Sequence, residues 1–134
     1  MRFELINPDE LGAPRGWTNG VLAPRDGRLL FIAGQSGCRD TDGAPPGFVE
    51  QFATALDRTL AVLRAAGGEP SDVARMTVFV TDVAAYRAAR PALGEVWRAR
   101  FGKFFPAMAL LEVTGLVERG ALVEIETTAV VGGR

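Results

Sequence analysis

The run Ala121-Leu122-Val123-Glu124-Ile125-Glu126-Thr127-Thr128-Ala129-Val130-Val131 alternates along its length. Ala121, Val123, Ile125, Thr127 and Ala129 form one set, and Leu122, Glu124, Glu126, Thr128 and Val130 the other. Successive side chains of a strand point to opposite faces, so this period predicts a β-strand over 121–131. Its second face is unusual, because two carboxylates share it with Leu122 and Val130. A solvated face near a strand end is one account. The other is a carboxylate held in a partly apolar interface cleft, where desolvation assists proton transfer.

Working outward, Met108–Thr114 predicts a second strand, joined to the first through residues 115–120 as an antiparallel hairpin. Arg75–Thr81 (RMTVFVT) is β-branched and aromatic, a strand in composition. Between these strands Asp82 suits the N-cap of a helical segment through Ala89, and Pro91 the first turn of its continuation. Leu93, Val96, Trp97 and Phe101 give that continuation a buried side. Phe48–Ala66 is the clearest helix, with Phe52, Leu56, Thr59, Leu63 and Ala66 at helical spacing. Gly67-Gly68 stops it, and Pro70 follows. Gly37–Gly47 reads as a surface loop. Before it, Gly20–Pro24 and Arg28–Ala33 (RLLFIA) predict two strands turned by Arg25-Asp26-Gly27. The order β-β-α-β-α-β-β gives an α+β class with a mixed sheet of about five or six strands, helices covering one face. The uncovered face needs a partner, which self-association supplies.

The 134 residues fit one domain, 1–134, at about 100–200 residues per domain. There is no histidine, which excludes Ser-His-Asp and Cys-His catalysis and His-bearing metal sites. The single cysteine, Cys38, excludes an intrachain disulfide and thiolate-rich metal centres, and suits a reducing compartment. Fifteen basic against sixteen acidic residues leave a net charge of −1, without the broad basic footprint that nucleic acid attracts. No signal-peptide pattern and no apolar run of transmembrane length is found, so the expected location is cytoplasmic, with no membrane partner. Chemistry without metal or organic cofactor, or binding without chemistry, is what this composition leaves.

The familiar catalytic patterns fail. No P-loop, no G-x-G-x-x-G after a strand and no G-x-S-x-G elbow occurs. Ser36 and Ser71 lack an imidazole; Ser71 suits a turn or N-cap after Pro70. Cys38 beside Arg39 reads either as a reactive thiol or as an incidental small residue. Trp17, in Gly16-Trp17-Thr18-Asn19-Gly20, either closes over a ligand or plugs the end of a core.

Several stretches carry a family resemblance in collinear order over residues 17 to 130. They are Asn19-Gly20-Val21, Leu30-Phe31-Ile32-Ala33-Gly34-Gln35, Ala65-Ala66-Gly67, Asp72-Val73, Met76–Asp82, Phe105-Pro106-Ala107 and Ala121–Glu126. On these the chain resembles the Rid family, the small homotrimeric proteins also called YjgF/YER057c/UK114. The resemblance implies a chorismate-mutase-like mixed β-sheet with two helices on one face. Three such sheets would form a homotrimeric barrel, with ligand clefts at the subunit interfaces. It implies hydrolysis of reactive imines and enamines to keto acids and ammonia, without a cofactor. In active members an arginine after Pro-Ala grips the substrate carboxylate, and a glutamate on the last strand handles the attacking water. A Gly-Gln turn and an aromatic residue from the N-terminal loop complete the cleft.

Carried over, the glutamate is Glu124, the turn is Ala33-Gly34-Gln35 and the aromatic is Trp17. The arginine is absent: Met108 follows Pro106-Ala107, then Ala109 and Leu110. The chain thus falls in a subgroup lacking the carboxylate-binding arginine. A position in the second helix often held by asparagine aligns with Arg90, which either enters the cleft or stays solvated beside Arg87. The expected substrate-binding set is Trp17, Ala33, Gly34, Gln35, Arg90 and Met108, with Glu124 catalytic and no metal ligand. Two function classes remain: a hydrolase of a C=N or enamine bond that is a poor 2-iminoacid deaminase, and a small-metabolite-binding trimer without turnover.

Overall fold

In the computed structural model, which describes residues 3–39 and 43–132, the alternating run forms a strand inside a four-stranded sheet. Asp40-Thr41-Asp42 of the 37–47 loop lie outside the described residues, as do two residues at each end. The elements are β1 (Glu4–Ile6), β2 (Gly20–Leu22), β3 (Arg28–Ser36), α1 (Phe48–Ala65) and β4 (Val73–Val80). They continue with α2 (Val83–Ala88), α3 (Arg90–Phe101), β5 (Ala107–Glu112) and β6 (Val123–Val131). The strand order is β3-β6-β4-β5, with β6 antiparallel to both neighbours and β4 parallel to β5. The class is mixed α+β, as expected, with three helices where two were expected.

Two expected hairpins are not formed. β5 and β6 do not pair; β4 lies between them. The parallel crossover through α2 and α3 sets β5 on the outer edge of β4, leaving the inner edges of β3 and β4 open. β6 fills that gap and is hydrogen-bonded on both sides, which satisfies backbone groups that burial would otherwise strand. Its odd-numbered residues, Val123 to Val131, are all buried accordingly. Nor does β2 pair with β3. Arg25-Asp26 does turn the chain, but Pro24 has no N–H to offer a ladder, and β2 pairs with β1 in a separate two-stranded ribbon. The main sheet therefore has four strands rather than five or six.

The helices behave as their sequences suggest. Phe52, Leu56, Thr59 and Leu63 of α1 are buried on the sheet. Gly67, at φ 83°, ends α1 in a Schellman motif: its N–H donates to Arg64 O at 2.9 Å, and that of Gly68 to Leu63 O at 2.9 Å. Asp82 caps α2, accepting from the N–H groups of Ala84 (3.0 Å) and Ala85 (3.1 Å). The turn at Pro70–Asp72 is capped by Glu69 instead of Ser71; Asp72 accepts from Glu69 N–H at 2.8 Å, and Ser71 donates to Glu69 Oε1. Arg100 ties α3 to α1 by a two-pronged contact with Asp57, at 2.7 and 3.2 Å.

The core lies on the helix side of the sheet, where Met76, Val78, Val80, Ile125 and Ala129 meet Leu56, Leu60, Leu63, Leu93, Trp97 and Phe101. Among the described residues no helix packs on the opposite face. That face leaves Leu29 65%, Phe31 74% and Leu111 42% exposed. Isolated apolar residues on a surface are ordinary, but these share one sheet face across β3 and β5.

Candidate functional site

Each side of the sheet assembles half of the expected site. On the helix side, the N-terminal loop is pinned to β5 just before Met108. Thr18 Oγ1 donates to Phe105 O at 2.7 Å and Thr18 N–H to Pro106 O at 3.0 Å, and Thr18 bridges to Ala107. This holds Trp17 beside Met108. Trp17 is 43% exposed and donates its indole N–H to Asn19 Oδ1 at 3.2 Å, so it does not plug the core. Met108 pairs in register with the fully buried Met76 and so faces the helices. Trp17, Met108 and Arg90 line one cavity of about 720 Å³, together with Tyr86, Trp97 and Phe105. Trp97 is fixed by stacking on Phe101 and Phe105 and by a 3.0 Å hydrogen bond from its indole N–H to Phe104 O.

On the helix-free side, Glu124 and Glu126 do share a face, opposite Phe79 and Thr77 of β4. They differ in surroundings. Glu126 is exposed, while Glu124 is half-buried beneath the end of β3. There the register slips by one residue between Ile32 and Gln35, a β-bulge centred on Ala33-Gly34. The bulge lowers Gly34 onto the carboxylate. A Cβ added at Gly34 would collide with Glu124 Oε2 and stand 3.0 Å from its carboxyl carbon. Glycine is needed here for close approach, not for its dihedral freedom. Gln35 Nε2 donates to Ala33 O at 3.2 Å across the bulge, and Arg58 donates to Ser36 O at 3.1 Å from α1.

The two groups do not meet within one chain. Trp17, Arg90 and Met108 lie on the helix side; Glu124 sits under Gly34 on the other face of the same sheet. Cys38 is buried, with its thiol 3.6 Å from Arg119 O, which removes it from the reactive candidates.

Sequence reasoning missed four contributors. Arg15 and Arg98 line the cavity with Arg90, and Tyr86 lies under Arg90, whose guanidinium carbon is 5.7 Å from the ring centre. The spacing Tyr86, Arg90, Gly94, Arg98, each four residues on, was the available signal, because such residues share a helix face. The fourth is Gln51, which is fully buried. Its amide donates to Pro46 O and Gly120 O, each at 2.9 Å, and accepts from Leu122 N–H at 2.8 Å. That clamps the chain at the entry to β6, two residues before Glu124.

Known proteins resemble this chain over most of its length. The family model described as endoribonuclease L-PSP matches residues 9–131. A curated relative, the 2-iminobutanoate/2-iminopropanoate deaminase of Capra hircus, is 35% identical over 107 residues, covering 78% of this chain and 74% of its own. A solved structure of a Rid-family protein of unknown function from Yersinia pestis aligns with a TM-score of 0.81 at 28% identity, covering 98% of this chain and 100% of that one. A member of the YjgF/YER057c/UK114 family from Mycobacterium tuberculosis aligns at 0.64 with 33% identity, covering 97% and 100%.

Proposed function

Since the chain belongs to the Rid, or YjgF/YER057c/UK114, family, we propose that it is a cofactor-free hydrolase of an imine or enamine bond. It acts as a homotrimer and is a poor deaminase of small 2-iminoacids. The observation carrying this reading is the half-buried Glu124 held against Gly34; Met108 follows Pro106-Ala107, where the family resemblance implies an arginine. A carboxylate in that setting accepts a proton from water as the water attacks the C=N carbon. The nitrogen takes that proton from the carboxyl group to give the neutral carbinolamine; the same group then carries the carbinolamine's hydroxyl proton to the nitrogen, so that ammonia leaves and a carbonyl remains.

Assembly follows from the same geometry. Met108 and Glu124 face opposite sides of one sheet, so a cleft containing both needs two copies: Trp17, Arg90 and Met108 from one, and Ala33, Gly34, Gln35 and Glu124 from the next. The exposure of Leu29, Phe31 and Leu111 on that face, which such an assembly would bury, supports that arrangement. Light scattering at micromolar concentration is expected to give three times 14.3 kDa. A monomer would end the intersubunit cleft. Among the described residues no helix is long and apolar enough to cross a membrane.

The activity test generates 2-iminopropanoate in situ with an amino-acid oxidase and follows its loss by semicarbazide trapping. A thioether cannot make the two-pronged contact that a guanidinium makes with the carboxylate. The expected rate is about a hundredfold below that of an arginine-bearing relative, about 2.7 kcal/mol at the barrier. Glu124→Gln is expected to remove what remains, and wild-type turnover matching the relative would refute the reading. A second reading, a metabolite-binding trimer without turnover, is favoured by the same Met108 and by the aromatic lining of its cavity. Saturable binding of a keto acid with no hydrolysis of any imine would select it.

A further inference from the structure

We propose that the helix wall of the cavity has taken over anion binding, with Arg90 as its anchor. The ligand it selects is then a carboxylate with an aromatic body, not a small aliphatic one. This rests on the cavity being the ligand site, as argued above.

Three arginines, Arg15, Arg90 and Arg98, line this cavity, and no aspartate or glutamate does. Each is solvent-accessible, and none has a carboxylate partner among the described residues. Arg100, on the same helix, shows the contrast: its guanidinium is occupied by Asp57. Unopposed cations around a low-dielectric recess concentrate a positive field where an anion would enter. The spacing is what gathers them. Tyr86, Arg90, Gly94 and Arg98 recur every four residues, and Gly94 leaves room for Arg98 to lie across it, its Nη1 3.3 Å from where a Cβ would stand.

Arg90 is further prepared. With its guanidinium over the Tyr86 ring, one face is covered and the edge N–H groups remain to grip both oxygens of a carboxylate. Below, the walls are apolar and aromatic: Trp17, Trp97, Phe105, Met108 and Leu110. Met108, read as a lost anchor, is here part of the surface against which a ring packs, since a thioether contacts aromatic edges favourably. A volume of about 720 Å³ far exceeds what a three-carbon acid fills and lies within the range of cavities that hold larger ligands.

Calorimetry with stable keto acids tests this without turnover. Phenylpyruvate is expected to bind at least tenfold more tightly than pyruvate, and than phenylacetone, its aromatic analogue without the carboxylate. Arg90→Gln should cost phenylpyruvate at least tenfold and leave phenylacetone unchanged, while Arg90→Lys recovers part of the loss. Equal affinity for phenylpyruvate and pyruvate, no binding of any probe, or an Arg90→Gln variant that binds phenylpyruvate normally would overturn the proposal. Arg90 is exposed, so the variants are expected to fold, and an unchanged melting temperature verifies it. Arg90-dependent binding in a protein that hydrolyses no imine upholds this inference and removes the hydrolase reading. Imine hydrolysis untouched by Arg90→Gln does the reverse.

Discussion

The two faces of the sheet treat their aromatic residues in opposite ways. On the helix side Trp97 is 5% exposed and stacked between neighbours, its ring centre 4.1 Å from that of Phe101 and 5.8 Å from that of Phe105. On the other side Phe31 stands 74% exposed beside Leu29. One face is completed by the chain itself; the proposed second copy would complete the other. The candidate site residues divide the same way. Trp17, Arg90 and Met108 sit in a cavity the chain builds unaided, while Glu124 and the Gly34 bulge lie on the face that association would cover.

The largest expected effects come from breaking this division at its aromatic residues. Trp97→Ala removes a stacked, hydrogen-bonded ring from the core and should cost about 3–5 kcal/mol, read as a shift in the denaturant midpoint. It should also empty the cavity wall. Phe31→Ser should leave each chain folded and act on mass, moving the light-scattering value from trimer toward monomer. If Phe31→Ser instead unfolded the protein at unchanged mass, the two faces would be parts of one intrachain core and the comparison would fail.

A smaller change sharpens the Glu124 side. At Gly34, the nearest atoms a methyl group meets are the carboxylate and Cγ of the Glu124 side chain, whose free end can swing away. Gly34→Ala should therefore alter stability by less than about 1 kcal/mol, within the ordinary range of substitutions. Displacing the carboxylate by about an ångström is enough to cost roughly a hundredfold in rate. The expected pattern is a normal melting curve with imine hydrolysis lowered as far as in Glu124→Gln. A full loss of stability would mean that the bulge is structural, and unchanged turnover that Glu124 needs no fixed position.

How much of this was legible in the sequence follows from range. The alternation of β6, the helical spacing of Phe52, Leu56, Thr59 and Leu63, the Gly67-Gly68 stop and the Asp82 cap are local signals, and each is found where it points. Strand order is not local. Nothing between Thr114 and Ala121 says that the chain passes over β4 before pairing, so the nearest-neighbour hairpin was the natural expectation and the wrong one. The same gap hid the opposition of Met108 and Glu124, whose facing depends on register against β4. Arg98 and Tyr86 were within reach of the i, i+4 rule. Arg15 was not, since only tertiary packing of the N-terminal loop brings it to the cavity. Gln51 looked like one more polar residue early in a helix; two of its three partners, Gly120 and Leu122, lie 69 and 71 residues along the chain.

The smallest effect is expected at Glu126, and it tests the comparison where it is finest. Glu124 and Glu126 lie on one strand and one face, two residues apart, with the same side chain. Only their cover differs: Glu124 is half-buried under Gly34, and Glu126 is exposed opposite Thr77. An exposed carboxylate is already hydrated, so removing its charge changes little, and Glu126→Gln should move stability by no more than about 0.5 kcal/mol. Turnover and keto-acid binding should stay within about twofold of wild type, about 0.4 kcal/mol. Denaturation, semicarbazide trapping and calorimetry on Glu126→Gln and Glu124→Gln in parallel decide it. If Glu126→Gln abolished turnover while Glu124→Gln spared it, the working carboxylate would be the one opposite Thr77, and the Gly34 bulge would have no part in the chemistry.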